Sequence, residues 1–436
     1  MGVYNVVSFC GMFVLLGVAW LLSADRRRMN WRVIGWGIAI QLLVGVFVFI
    51  VPAGAKVFLF VNDAVVKVLE SASAGSEFVF GRLAIPPGQV GENGEEPVGF
   101  MLAFQGFPTI IFFSALVAIL YYLRIMPLII RGFAFVFTKL MRISGAESVV
   151  AASNIFVGIE STLTVKPYLS KMTQSELCTV LAAGMATVAS NVLALYVFSL
   201  QDMFPNIAGH LVSASLMSAP AALVMSKVLF PESGEPVTLG VNVRPYYERE
   251  NSLFEAIING SMAGVKMIVG IVALLIAVLG LVELVDVLLG AVGGWINTAA
   301  GWNFEWSLRA ICGYVFYPFT LVLGVPRADA GVISKMIGER LVVSEVVAYR
   351  DLAAVLKEGT LSDGRSAVVA TYALCGFAHV ASMAIFTGSI CGLAPEKARD
   401  AAKVAGRALI AATLACLMTG CVAGVFYRGG SILLGP

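Results

Sequence analysis

Long apolar runs, divided by short charged loops, set the rhythm of the chain. They cover roughly 3–23, 31–52, 108–123, 175–200, 205–230, 264–290, 366–392 and 405–427. Most approach or exceed the ~20 apolar residues that a helix needs to cross a bilayer. Backbone groups in lipid must bond within their own segment, so these runs are expected as helices. The short alternating strands of a β-barrel are absent from the sequence. The pattern predicts an all-α polytopic membrane protein with eight transmembrane helices.

Two regions interrupt this rhythm. One runs from about 126 to 172 and begins "MPLIIRGFAFVFTKLMR"; the other runs from about 306 to 357 and contains "FYPFTLVLGVPRADAGVISKMIGERLVVSEVVAY". Each starts with a short apolar stretch holding a proline, Pro127 or Pro318. Each passes a Gly/Ala-rich turn, "ISGAES" or "GVPRAD", and reaches a broken, semi-polar segment with one acid, Glu160 or Glu345. Two full spans follow each region. The offset of about 185 residues reads as an internal repeat, and the single span between the units turns the copies in opposite senses. Inverted repeats with broken helices at mid-membrane belong to secondary transporters.

Composition sharpens the class. The 436 residues are 59% hydrophobic and 13% charged, with mean hydropathy +0.90. Soluble domains run at about 45–50% apolar and about 25% charged. The net charge of +2 is too small to imply a nucleic-acid partner. Seven cysteines, an odd number without a CxxC pair, read as buried small hydrophobes. The N-terminus has no basic region before its apolar run, so it reads as a retained first span.

Basic residues near span ends give an orientation. "DRRRMNWR" after the first span falls in the cytoplasm, which puts both termini outside. The loop from about 53 to 107, with "PPGQVGENGEEP", then falls outside, while Arg124, Arg131, Lys139 and Arg142 fall inside. One segment resists. Residues 291–365 should be external, yet they carry Arg309, Arg327, Lys335, Arg340, Arg350, Lys357 and Arg365.

An ionisable group inside a membrane is costly, so it marks a functional site by default. The embedded candidates are Glu160, Glu345, His379, Glu283 and Asp286. Glu283 and Asp286, in "LVELVDVLLG", sit near an outer span end and read better as a helix end reaching the interface. Glu160 lies in "NIFVGIEST", with Gly158 before it and Ser161 and Thr162 after it. Gly permits a tight hairpin tip, and Ser or Thr can cap a following half-helix. A re-entrant hairpin fits this stretch; an interfacial helix with a solvated Glu is the plain alternative. "RLVVSEVVAYRD" repeats the logic from the other side, with Ser344 and Glu345 at its break. In both halves a span holding small polar groups follows. "GMATVASNVLALY" carries Thr187, Ser190 and Asn191; "CGFAHVASMAIFTG" carries Phe377, His379 and Ser382. Taken alone such residues are as often helix-packing contacts, and His379 could be one. There is no HExxH motif and no Walker A motif, so neither a zinc protease nor an ATP-driven pump is expected.

At "GERLVVSEVVAY" the sequence resembles the concentrative nucleoside transporter family, whose motif reads G-x-K-x3-N-E-F-V-A-Y. Here Arg340 stands for Lys, Ser344 for Asn and Val346 for Phe. "EFVFG", "NIFVGIES…VKPYLSKMTQSEL", "ASNVLALY", "GYVFYPFTLVLGVP" and "TYALCGFAHVAS" agree in family order over nearly the whole chain. The resemblance implies a homotrimer of eight-span chains in the cell (inner) membrane, with interfacial helices and two opposed re-entrant hairpins. It implies inward transport of nucleosides with sodium or protons, by an elevator-like shift, and no enzymatic activity or cofactor. It divides the chain into scaffold spans and an external loop (1–123), a first transport repeat (124–230), a loop and scaffold span (231–304) and a second transport repeat (305–436). Carried over by motif, Gly158, Ile159 and Glu160 form the base side, with Val192 and Phe377 against the base. Glu345, His379 and Ser382 form the ribose side. Asn154, Val157, Thr187 and Val188 fall on the sodium ligands.

Two departures bear on substrate. The family's hairpin tip reads G-Q-[ST]-E, whereas "GIES" is one residue shorter before its acid and puts Ile159 where a base-binding Gln is expected. His379 replaces an Asn on the ribose side. A divergent substrate such as pseudouridine fits these changes. Asn154 and Thr187 keep the oxygens that sodium favours, so the leading expectation is a sodium-coupled nucleoside importer. A proton-coupled importer, with Glu160 or Glu345 carrying the proton, and a membrane-embedded enzyme or sensor are the alternatives.

Overall fold

The computed structural model describes residues 2–86, 90, 94–201 and 203–429. Most of the turn-rich stretch "PPGQVGEN" and the end of the chain lie outside these. The described chain is helical, and the one β-contact among the described residues is an isolated bridge between Ser144 and Leu239. The helices are α1 (Val3–Leu21), α2 (Trp31–Phe49), α3 (Pro52–Phe80), α4 (Phe107–Tyr122), α5 (Ile125–Met141) and α6 (Gly145–Ser153). Then come α7 (Lys166–Leu169), α8 (Gln174–Ala186), α9 (Ser190–Leu200), α10 (Ile207–Leu229), α11 (Leu253–Ala300) and α12 (Leu308–Val322). The chain closes with α13 (Arg327–Val342), α14 (Glu345–Glu358), α15 (Gly364–Leu374), α16 (Val380–Leu393) and α17 (Ala398–Phe426).

Six helical segments, including α1, α2, α4, α10, α11 and α17, are long and apolar enough to cross a membrane. The other two expected spans are each split. Residues 175–200 fold as α8 and α9, and residues 366–392 as α15 and α16. α8 has 13 residues and α15 has 11. At 1.5 Å per residue such pieces reach about 20 Å, short of the ~30 Å hydrocarbon core.

The two breaks touch. Gly376 ends α15 at φ +122°, and a Cβ there would lie 2.5 Å from the Ala186 carbonyl that ends α8. Only glycine meets both demands. Carbonyls freed at helix ends must find donors elsewhere. Ser218 Oγ donates to the Ala186 carbonyl at 2.5 Å and Cys416 Sγ at 3.5 Å. On the other side, Arg340 Nη1 donates to Ala373 O at 2.7 Å and Tyr349 Oη to Thr371 O at 2.8 Å.

The centre of the molecule is α8, α10 and α17. The spanning windows of α10 and α17 are each 89% buried, whereas none of the α11 window is. α11 packs on α4, while α1 packs on α17 and α2 on α10. Segment 1–123 therefore spreads over two packing neighbourhoods, since α1 and α2 join the α10–α17 core and α4 joins α11.

Two expectations change in detail. The region from about 53 to 107 is not simply a loop: α3 supplies a 29-residue helix. Its buried positions, Gly54, Phe58, Asn62, Leu69, Ala72 and Ser76, recur at helical spacing, and Pro52 starts it at a position that suits proline. The span expected at 264–290 is the middle of the 48-residue α11. The basic residues of 291–365 also find an explanation. Arg340 and Arg365 are buried and donate to backbone carbonyls. Arg309 pairs with Asp351 and Glu339, and Lys335 with Glu305 at 2.9 Å. Of the seven basic residues these four have partners within the chain; Arg340 and Arg365 are buried, while Arg309 and Lys335 stay 43% and 40% exposed.

Candidate functional site

The first hairpin segment begins with Ser144, whose backbone N–H donates to Glu147 Oε2 at 3.2 Å as α6 starts. α6 ends at Ser153, the chain turns through Gly158, and residues Ile159–Val165 return as a 3-10 helix. Asn154 at the turn is fully buried, and neither its Oδ1 nor its Nδ2 has a hydrogen-bond partner among the described residues. A buried amide without a partner costs free energy, so its oxygen and nitrogen are candidates for contact with a bound group. The turn is tied to the α8–α9 break: Ser190 N donates to Phe156 O at 3.1 Å, and the Ser190 hydroxyl donates to the same carbonyl. Val157 thus adjoins that contact from one side and Val188 from the other. Thr187 is buried and its hydroxyl donates to Ala183 O at 3.0 Å, leaving its lone pairs for another partner.

The second hairpin segment is helical on both arms. α13 ends at Val342, Ser344 is extended, and Glu345 opens α14. A carboxylate at a helix N-terminus is favoured by the aligned peptide dipoles. Glu345 is 2% exposed and receives a 2.6 Å bond from the Tyr196 hydroxyl of α9. Its Oε2 lies 3.1 Å from His379 Nε2, without hydrogen-bond alignment. His379 caps α16: its Nδ1 accepts from Ser382 N at 3.2 Å. That bond assigns the ring proton of the neutral tautomer to Nε2. Nε2 is also 2.8 Å from Ser382 Oγ. The buried Ser344 hydroxyl has no hydrogen-bond partner.

These pieces meet around one cavity of about 510 Å³. All eight residues read as substrate contacts line it: Gly158, Ile159, Glu160, Val192, Glu345, Phe377, His379 and Ser382. Small-molecule sites usually fall between about 300 and 1,000 Å³. The Glu160 carboxylate is met by the backbone N–H groups of Gly158 and Glu160 in its own turn and by no side-chain partner among the described residues, whereas Glu345 is met by Tyr196 and His379. Asn154, Thr187 and Val188 do not line the cavity and lie behind it at the junction of the two breaks. Glu283 and Asp286 stay outside the site. Glu283 is exposed on α11, and Asp286 Oδ1 accepts from Leu308 N at 2.6 Å at the start of α12. Asn191 has no described side chain.

Sequence patterns missed two parts of this site. Tyr196 stands four residues after Val192 on the same face of α9, a spacing that would have placed it beside the cavity. The long helix α11 supplies a whole wall, with Lys266, Met267, Gly270 and Ile271 among its lining residues. Nothing in the local sequence of α11 announces that.

Family models described as Na+ dependent nucleoside transporter N-terminus, nucleoside recognition, and Na+ dependent nucleoside transporter C-terminus match residues 10–83, 103–203 and 210–424. An uncharacterized transporter of Haemophilus influenzae is 36% identical, with 98% of this chain and 99% of that protein covered. The chain belongs to the concentrative nucleoside transporter family. Solute carrier family 28 member 3 of Mus musculus is 36% identical over 98% of this chain, which spans 59% of the mouse protein. Among solved structures, CNTnw in an inward-facing substrate-bound state is similar with a TM-score of 0.85 and 33% identity, covering 97% of this chain and 98% of that one.

Proposed function

We propose that the protein is a secondary active importer of nucleosides driven by a sodium gradient. The observation that carries this reading is the single cavity that joins Glu160 and Glu345, one acid from each half, with Phe377, Val192 and His379 between them. A buried carboxylate accepts two ribose hydroxyls well, because bonds to a charged acceptor are the stronger ones. Glu345, already oriented by Tyr196 and His379, takes that role, with Ser382 beside it. Phe377 offers a flat face that tolerates any base. Val192, Ile159, Gly158 and Glu160 complete the base side.

Sodium is a hard ion that favours oxygen ligands, and unwound backbone at half-helix ends supplies them. The residues fit that demand: Asn154 Oδ1, Thr187 Oγ1 and the carbonyls of Val157 and Val188 sit at the joined breaks, and the Asn154 amide is otherwise unpaired. A cation there tightens the first hairpin against the α8–α9 break, next to Glu160. Binding of ion and substrate then favour each other, as linkage requires. The hairpin-bearing repeats move as a unit against α4 and α11 of a homotrimer, with both termini outside the cytoplasm.

Uptake of labelled uridine and adenosine into proteoliposomes tests the reading. Replacing sodium by choline at fixed pH should abolish concentrative uptake. Unchanged uptake would replace sodium by protons as the coupling ion. Specific binding without concentrative uptake under any ion gradient would overturn the transporter reading.

A further inference from the structure

A second chamber of about 280 Å³ adjoins the first. Glu160 and Ala263 line both, so the Glu160 carboxylate stands at their junction. The walls come from four separate parts of the chain, one of them α11 through Gly260 and Ala263. Tyr121 belongs to α4, Phe156 and Thr164 to the first hairpin segment, and Tyr247 and Arg249 to the strap between α10 and α11. The rings of Tyr121 and Tyr247 meet at a centroid distance of 6.3 Å and an angle of 52°, which makes an open aromatic corner.

The strap that carries Tyr247 is fastened to the hairpin. Its Thr238 carbonyl accepts from Gly145 N at 2.8 Å, and a Cβ on Gly145 would lie 1.9 Å from Val241 O. Tyr246 N donates to Thr164 O at 2.8 Å. Lys166 pairs with Glu248 at 3.2 Å and lies 5.9 Å over the Tyr246 ring. The aromatic corner is thus held by backbone bonds at both ends of the hairpin segment.

We infer that this chamber is a second, weaker nucleoside site, a release stop on the cytoplasmic side of the main cavity. The inference rests on the nucleoside-transport reading. Every base has two π faces, so an aromatic corner receives it without regard to sequence of ring substituents. Glu160 and Arg249 supply the polar groups that orient it. A nucleoside leaving Glu345 and His379 passes Glu160 and comes to rest on Tyr121 and Tyr247.

Equilibrium dialysis of radiolabelled uridine, and of adenosine in parallel, against the purified full-length protein in sodium tests this. Two sites per chain are expected, the second at least about tenfold weaker, as fits a release stop. Tyr121→Ala with Tyr247→Ala should leave one site, with its affinity within about twofold of wild type. Tyr121→Phe with Tyr247→Phe should keep both sites, because the rings remain. Glu345→Gln should remove the tight site and spare the weak one. Tyr247→Ala alone, in the strap, repeats the test should the double variant misfold. One nucleoside per wild-type chain, or a weak site that survives the loss of both rings, would overturn the inference. Absence of any binding to wild type would overturn the transport reading and this inference with it.

Discussion

The two hairpin segments occupy matching places in the repeat, yet they hold their acids in opposite ways. Glu345 is buried at a helix start and held by Tyr196 and His379. Glu160 sits in a 3-10 return between two chambers, faced by the backbone N–H groups of its own turn rather than by a partner side chain. The first hairpin also holds buried polar groups without a hydrogen-bond partner among the described residues: the Asn154 amide and the Ser161 and Thr162 hydroxyls. A held acid suits a part of the substrate that never changes, the ribose. An acid held only by its own turn, with no partner side chain, suits a group that varies and an ion that comes and goes. Symmetry of position has been kept while the chemistry has been divided.

Five substitutions would break or sharpen this contrast. Glu345→Gln should cost the most, about 100-fold in uptake efficiency for every nucleoside, since hydrogen bonds to a charged acceptor contribute about 1.5–3 kcal/mol each. Glu160→Gln in the same assay should cost less and vary with the base; equal and uniform losses would erase the contrast. Asn154→Ala should raise the sodium concentration for half-maximal uptake roughly 30-fold, about 2 kcal/mol, while nucleoside affinity at saturating sodium stays near wild type. A loss that sodium cannot restore would assign Asn154 to structure.

Tyr196→Phe removes one bond to Glu345 and should lower uptake efficiency about tenfold without base preference. An effect confined to one base would move Glu345 to the base side. Ile159→Gln should be the mildest, shifting the ratio between two bases by about threefold with the sum of uptake nearly unchanged. Competition of unlabelled nucleosides against labelled uridine reads that ratio directly.

Much of the fold was legible from the chain, and the reasons are local. A run such as 205–230 must become a helix in lipid, and α10 is that helix. The interrupted spans were legible less fully. Thr187 and Ser190 marked the place where α8 stops, but not that Gly376 of the other half fills the space beside it. The loop reading of 53–107 missed α3, because its weakly apolar, period-four face looks like a polar loop until α10 and α2 cover it. Arg340 and Arg365, which stood against the orientation pattern in the sequence, are buried in the fold and donate to backbone carbonyls distant in the chain.

By itself the sequence determined what a low dielectric forces on a chain. Apolar length set the number and type of the elements, and the acids that break the pattern marked the two hairpins. Only the tertiary structure decided which groups share a cavity. Glu160, Val192, Glu345 and Phe377 are brought together across the fold, α11 closes a wall without any local signal, and Tyr196 turns a lone carboxylate into a held one. Periodicity acts within one helix, whereas a site is made by the distances between helices, and those follow from packing.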